Sequence, residues 1–571
     1  MSKKVALVLS IPIKSDFDWG MYDDIVCLDF SNIEGKVKNA SLISKRVPVP
    51  IDDIYQFFSE FEIEYSGNCS VFGHLDSLSS GALVNVYQCL KVCEQWLESG
   101  FSIDVYASLT EENQLPLFGY KSHEVNLGSS KLLGAIIANV LRDNYHNGIR
   151  FINVKGDFLC RRTFRLTFMR LIEFFGFLNV IFKLMIFKLY FIFFPRKESI
   201  SVTSENKYFL CRTKNQLDYA LKLINFEKNN TSLGAIYLFP QVRSFGVKGI
   251  INSIGNSKEC NILLPSIIDV ARFYLSEKNT VKYSRVISAN KIRFDLKLLL
   301  QEVSCFETDE LYKYCTVNSL QNKNVIKLFN FAIKGRFAHL DRDISTQLRC
   351  SVETIQTINI VPDLAYEFPV SNFFCDSKLS CLGLNNGFKS SGDLMFEGTI
   401  FELKDVNSSF YAIKSIVFFT QPYEFEVTET ILSSLHEYCL RNEIDLWIKL
   451  HPRDSRSNYN LHILPMLNFI DGLSNSDAFE IADICITKTS AVAVECISSG
   501  IPTLTVTLSE YDKTLTFPVL DCFRNNSLNI DDIEQFELKL ESYKELVRLT
   551  HAIRYSMFEN KDIESLSRYL I

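Results

Sequence analysis

The chain lacks the marks of several large protein classes. It has no CxxC pair, and its two most closely spaced cysteines, Cys89 and Cys93, fall one turn apart on an apparent helix. Nothing at Met1-Ser2-Lys3-Lys4 has the form of a secretory leader, so the sixteen cysteines are expected to be scattered reduced thiols of a cytoplasmic protein. There is no basic surplus either. The formal net charge is -7 and the sequence pI about 5.8, which argues against a nucleic-acid binder, since neutralising phosphates takes a clustered basic face. No long biased tract and no repeat of solenoid period occur, and the balance of hydrophobic to charged residues (47% to 22%) is that of a folded, globular chain.

Also missing is a charge-free apolar run of the roughly 20 residues that a membrane span needs. The nearest stretch, 164–194, is rich in Phe, Leu and Ile, but Arg170, Glu173, Lys183 and Lys188 interrupt it and Pro195-Arg196-Lys197 closes it. A mid-bilayer Lys costs about 2.5–3.5 kcal/mol on insertion scales. Arg161, Arg162, Arg165 and Arg170, followed by the aromatic run, suit a helix lying on a membrane surface. A buried helical hairpin is the second reading of this segment and a true span the third.

What is present is alternation. At 571 residues the chain is expected to hold two or three domains. From Asn68 onward, short apolar runs alternate with helical stretches: strands at 69–73, 101–106 and 149–154, and helices at 82–99 and 131–143. Beyond the aromatic segment the pattern resumes with strands at 208–211, 235–239 and 262–266 and a helix over 216–226. Strand, helix and strand in succession imply parallel pairing through right-handed crossovers. Residues 68–362 therefore read as one doubly wound unit, with 1–67 as an extra strand and cover. Pro362, Pro369, Gly383, Gly387 and Gly392 make 363–410 an expected linker. Residues 411–571 read as a second unit, with strands at 416–419, 446–450, 484–486 and 503–506. Two such units leave a cleft, and ligands bind where strand C-termini face it.

Two segments of the second unit carry chemistry. In Lys488-Thr489-Ser490-Ala491, hydroxyl residues stand where a strand hands over to a helix, a place that suits an anion and equally a plain helix cap. In Lys449-Leu450-His451-Pro452-Arg453, an apolar strand delivers three basic residues to its C-terminal end, where Pro452 stops it. An imidazole there can donate to a phosphate or protonate a leaving group, or simply be satisfied by loop carbonyls. Both segments point to an anionic ligand.

Lys449-x-His451-Pro452, Thr489-Ser490-Ala491 and Glu495-x4-Gly500-x-Pro502 together resemble the C-terminal domain of bacterial GT-B glycosyltransferases that use CMP-activated acidic sugars. These are the sialyltransferases, polysialyltransferases and Kdo transferases of capsule and lipopolysaccharide assembly. The resemblance covers about 415–506. The order Thr-Ser is the reverse of the usual Ser-Ser/Thr, and the first half of the chain matches by alternation only. It implies an α/β fold of the GT-B kind, two Rossmann-like doubly wound domains facing a central cleft. His451 would bind the CMP phosphate and act as general acid, with Thr489 and Ser490 beside it. Lys449, Pro452, Arg453 and Lys488 would complete the donor grip, Glu495 would take the ribose hydroxyls, and Gln421 would lie near the donor. The partners would be a nucleotide-sugar donor, a glycan or glycolipid acceptor and the inner-membrane surface, with the protein peripheral on its cytoplasmic side.

An inverting transfer also needs a base for the acceptor hydroxyl. Asp76 is the expected base, with His74 and Asp157 as alternatives, all in strand-end loops. The acidic motif that sialyltransferases use has no clean copy here. Asp341-Arg342-Asp343 resembles a metal-binding DxD, but no apolar strand precedes it, so a surface loop, no metal and no cofactor beyond the donor are expected. A UDP-sugar or CDP-polyol-phosphate transferase is the rival within enzymes. A non-catalytic, membrane-associated assembly protein is the rival outside them.

Overall fold

The computed structural model describes residues 3–9, 19–28, 40–47, 65–66, 82–107, 114–116, 131–145, 147–153, 159–193, 206–225, 234–240, 247–255, 261–275, 282–283, 286–289, 292–295 and 306–332 of the first part of the chain. Thereafter it describes 336–357, 367–368, 372–384, 389–390, 393–406, 412–421, 424–452, 454–459, 466–509, 512–513 and 517–570. The fold is α/β and rests on three parallel sheets.

The first sheet holds β1 (Lys4–Val8), β2 (Asp24–Cys27), β3 (Ala40–Leu42), β4 (Ser102–Ala107) and β5 (Ile149–Asn153), in the order β3-β2-β1-β4-β5. The second holds β6 (Lys207–Cys211), β7 (Ala235–Leu238), β8 (Ile262–Leu263), β9 (Lys327–Asn330), β10 (Ser351–Ile355), β11 (Asn372–Phe374) and β12 (Asp393–Met395), in the order β8-β7-β6-β9-β10-β11-β12. The third holds β13 (Ser415–Phe419), β14 (Asp445–Lys449), β15 (Asn468–Phe469), β16 (Ile484–Thr487), β17 (Thr503–Val506) and β18 (Asn529–Ile530), in the order β15-β14-β13-β16-β17-β18. In each sheet the chain builds outward on one side, returns to the middle and builds outward on the other. That reversal defines a doubly wound, Rossmann-like sheet.

Both faces of the second and third sheets are buried, which is why their strands read as unbroken apolar runs. Tyr208 and Leu210 of β6 face one core cluster, and Phe209 and Cys211 face the other. Ile416 and Phe418 of β13 likewise alternate with Val417 and Phe419. The helix Ile563–Leu570 follows the third sheet in sequence but covers the second, placing Ile563, Leu566 and Leu570 in the cluster that holds Phe209 and Phe374. The Ser567 hydroxyl donates to the Leu223 carbonyl at 3.1 Å, and Lys207 Nζ to the Leu570 carbonyl at the same distance. Gly500 follows the helix Val492–Ser498 at φ 74°, and a Cβ there would stand 2.5 Å from the Asp405 carbonyl oxygen. Only glycine closes that turn without displacing backbone.

The sheets differ from the sequence reading in three respects. The strands expected to form one unit over 68–362 fall in two sheets, and the first of these takes three strands, β1, β2 and β3, from the segment expected to be one extra strand and cover. The expected linker 363–410 supplies β11 and β12 to the second sheet. Each is three residues long, too short to show a period among the prolines and glycines around it. Asp341 belongs to no surface loop: it lies in the helix Arg336–Leu348, fully buried, with Arg212 Nη1 2.7 and 2.8 Å from its two carboxylate oxygens. Tyr312 and Asn330 also donate to it, so a polar sequence there marks a buried network rather than an exposed turn. The strand expected at 69–73 lies outside the described residues.

Candidate functional site

The order of the third sheet reverses between β13 and β16. Loops leaving these two strands turn opposite ways, and a crevice opens at their C-terminal ends. The register pairs Phe419 of β13 with both Lys449 of β14 and Thr487 of β16. Three chain segments therefore leave the sheet at one level: Thr420-Gln421, Leu450-His451 and Lys488-Thr489-Ser490. With one strand between them, the ends of β14 and β16 stand about 10 Å apart.

Thr420 organises the His451 side. Its amide donates to the Lys449 carbonyl at 3.1 Å, and its hydroxyl accepts the His451 amide at 3.0 Å. The same hydroxyl donates to Asp454 Oδ2 at 2.5 Å, where the Tyr459 hydroxyl also donates. Burial, and then the bond to Asp454, pushes the Tyr459 phenol far above its ordinary range. Asp454 Oδ1 accepts from the Ser455 amide and the Asn458 side chain, and the Asp454 amide returns a bond to the His451 carbonyl at 2.8 Å. The backbone of His451 is thus held on both sides, and its half-buried ring projects from a fixed base.

Gln421 organises the other side. Its Oε1 accepts the Thr489 hydroxyl at 3.1 Å and lies 3.5 Å from the Thr489 amide, a link directly across the switch point. Ser490 caps the helix Val492–Ser498 in part: its hydroxyl accepts the Val492 amide at 3.3 Å and its carbonyl the Ala493 amide at 3.2 Å. A hydroxyl that accepts such a bond keeps its own proton to donate.

Lys488 turns away from this edge. It is fully buried, with Nζ 2.9 Å from Glu424 Oε2 and 3.1 Å from Asp512 Oδ2. The Ser509 hydroxyl donates to Glu424 at 2.8 Å and accepts the Asp512 amide at 2.9 Å, so the loops after β13, β16 and β17 meet in one polar knot. Burial raises the Asp512 carboxyl even against the pull of Lys488. Glu424 sits in the left-handed region at φ 50°, held there by these contacts. The sequence reading set the Lys488 ammonium beside a phosphate, whereas two carboxylates engage it behind the crevice.

The other expected donor residues divide. Lys449 Nζ donates to the Leu473 carbonyl at 2.5 Å, tying the end of β14 to the loop after β15. Glu495 lies on the helix after Ser490 and accepts from Asn475 Nδ2 at 3.0 Å; burial raises its carboxyl, and the charge of Lys222 opposes the rise. Pro452 is exposed at the edge. Arg453, Asp76, His74 and Asp157 lie outside the described residues. Thr420, Asp454 and Tyr459 went unnoticed in the sequence. The available signal was a hydroxyl residue at the end of β13 and an acid three residues after His451.

Fold and site together define a doubly wound α/β protein with a polar crevice at the switch point of its third sheet. No protein-family model matches the chain, and no curated protein matches it. It is similar to solved structures of GT-B glycosyltransferases and nucleotide-sugar epimerases. These include the UDP-GlcNAc 2-epimerase of Neisseria meningitidis bound to UDP-GlcNAc, at 11% identity and TM-score 0.42, and the glycosyltransferase of kitacinnamycin, at 8% and 0.41. MurG of Acinetobacter baumannii follows at 11% and 0.38. Each alignment covers 64% of this chain and 98% of the other. Likeness at this level extends to neither substrate nor chemistry.

Proposed function

We propose that the chain is a glycosyltransferase that moves an acidic sugar, Kdo-like or sialic-acid-like, from a CMP donor to a bacterial surface polysaccharide or lipid-linked acceptor. The observation that carries this reading is the meeting of His451, Gln421, Thr489 and Ser490 at one switch point. In the proposed mechanism the His451 imidazole and the Ser490 hydroxyl donate to the donor phosphate. Protonated His451 then stabilises the departing CMP, while a carboxylate, Asp76 or alternatively Asp157, or else the His74 imidazole, takes the proton of the acceptor hydroxyl. The reading includes no metal and no cofactor beyond the donor.

The charge at the crevice favours a monophosphate donor over a diphosphate. Lys488 is neutralised by Glu424 and Asp512, and Lys449 is drawn toward Leu473. Among the described residues neither ammonium is spare for a second phosphate, which supports a CMP-sugar over a UDP-sugar or a CDP-polyol. Isothermal titration with CMP tests the reading. His451→Ala should weaken binding at least tenfold, in line with loss of one charge-assisted hydrogen bond of about 1.5–3 kcal/mol. Equal binding by both proteins would remove His451 from the donor site. Stronger stabilisation by UDP than by CMP in a thermal melt would favour the UDP reading. Failure to transfer or hydrolyse any nucleotide sugar would favour a non-catalytic assembly protein.

A further inference from the structure

The helix Arg162–Phe193 presents two unlike faces. Val180, Leu184 and Phe187 are fully buried, the first two in one core cluster of the second sheet and Phe187 in the other. On the outward face, Leu171, Phe175, Leu178, Phe182, Met185 and Leu189 follow one another at steps of four and three residues. That spacing draws one continuous stripe along a helix. Phe175 and Phe182 are 65% and 62% exposed, and the stripe continues to Ile192 at 70%. From Leu171 to Ile192 it runs about 30 Å at 1.5 Å per residue. An apolar surface of that length marks a docking site.

We propose that this stripe lies flat on an anionic lipid bilayer, with its Phe, Leu, Met and Ile side chains in the boundary between headgroups and acyl chains. Charge selects the occupant. Residues 161–197 carry eight Lys or Arg, of which Lys183 is buried, and one Glu, within a chain whose formal net charge is -7. An anionic surface attracts this segment and repels the remainder, which sets the face the protein turns to the lipid. A second copy of the chain is a poorer partner, because it would bring this net-basic segment against its own like charge. Residues 174–193 are apolar and long enough to cross a bilayer. Crossing would draw Val180, Leu184 and Phe187 out of the cores they fill, so the helix docks on the surface instead.

Co-sedimentation of the full-length protein with vesicles tests this. The wild type should pellet with phosphatidylcholine vesicles containing phosphatidylglycerol, and at least tenfold less with phosphatidylcholine alone or in half-molar salt. Phe175→Glu/Phe182→Glu should lose that binding while its circular dichroism and CMP titration stay unchanged. Leu178→Ser/Met185→Ser, a milder pair, should weaken it severalfold and serves if the first variant does not fold. The proposal is overturned if the wild type remains in the supernatant, or if a folded variant pellets as well as wild type. It is also overturned if alkaline carbonate fails to release the bound protein, the mark of a span. A wild-type dimer in light scattering that the variants dissociate would overturn it in favour of self-association. The CMP titration is independent of these outcomes, so donor binding and membrane docking fail separately.

Discussion

Asp376 follows β11 and is almost wholly buried. Its Oδ1 accepts the Ser380 hydroxyl at 2.7 Å, and its amide donates to Gln356 Oε1 at 3.1 Å. Burial pushes its carboxyl up to about 6, against an ordinary value of 3.8, despite the hydrogen bonds that oppose the rise. A raised folded value means that the native state holds the proton more tightly than the unfolded chain does. The contribution to stability is therefore complete below about pH 4 and is lost as pH rises toward 6. The gap of about two pH units amounts to about 3 kcal/mol at about 1.4 kcal/mol per unit. Asp376→Asn keeps the carbonyl acceptor for Ser380 and removes the charge. Urea unfolding of the two proteins from pH 4 to 8 should show the variant drawing ahead as pH rises, by up to about 3 kcal/mol at pH 7. A variant less stable than wild type at pH 7, or a constant difference across the range, would refute the reasoning.

Two further substitutions separate the knot from the crevice. Lys488→Met leaves buried Asp512, with half-buried Glu424 beside it, without a cation, and should cost about 3–5 kcal/mol in thermal or urea unfolding. Adding Asp512→Asn should return part of the loss, and an unchanged melting temperature in the single variant would contradict a structural role for Lys488. Asp454→Asn sets an amide against the donors Thr420 and Tyr459 and loosens the base of His451. CMP affinity should fall about tenfold, worth about 1.4 kcal/mol, with little change in melting temperature. Unchanged affinity would show that Asp454 does not position the donor site.

The third sheet was the most legible part of the chain. Ile416–Phe419 and Ile484–Ile486 are buried on both faces, so their identity as strands is written in continuous apolar runs. His451, Thr489 and Ser490 could be found because each directly follows such a run, and strand ends are local in sequence. What could not be read depended on distant partners. Lys488 looks like a free cation until Glu424, 64 residues earlier, is seen to hold it. Asp341 looks solvated until Arg212, 129 residues earlier, arrives beneath it. Division into three sheets was hidden for the same reason: alternation reveals that strands are parallel, but not which strands share a sheet.

The helix Ile563–Leu570 also bears on how the molecule is made. Ser567 hydrogen-bonds a carbonyl 344 positions earlier. At translation rates of about 5–20 residues per second, roughly 17–70 s separate the two on the ribosome. Leu223 waits through the whole of that interval, and Phe374 through its later part, for Ile563, Leu566 and Leu570, which cover them. The second sheet is born with one apolar flank open until the last residues of the helix are made.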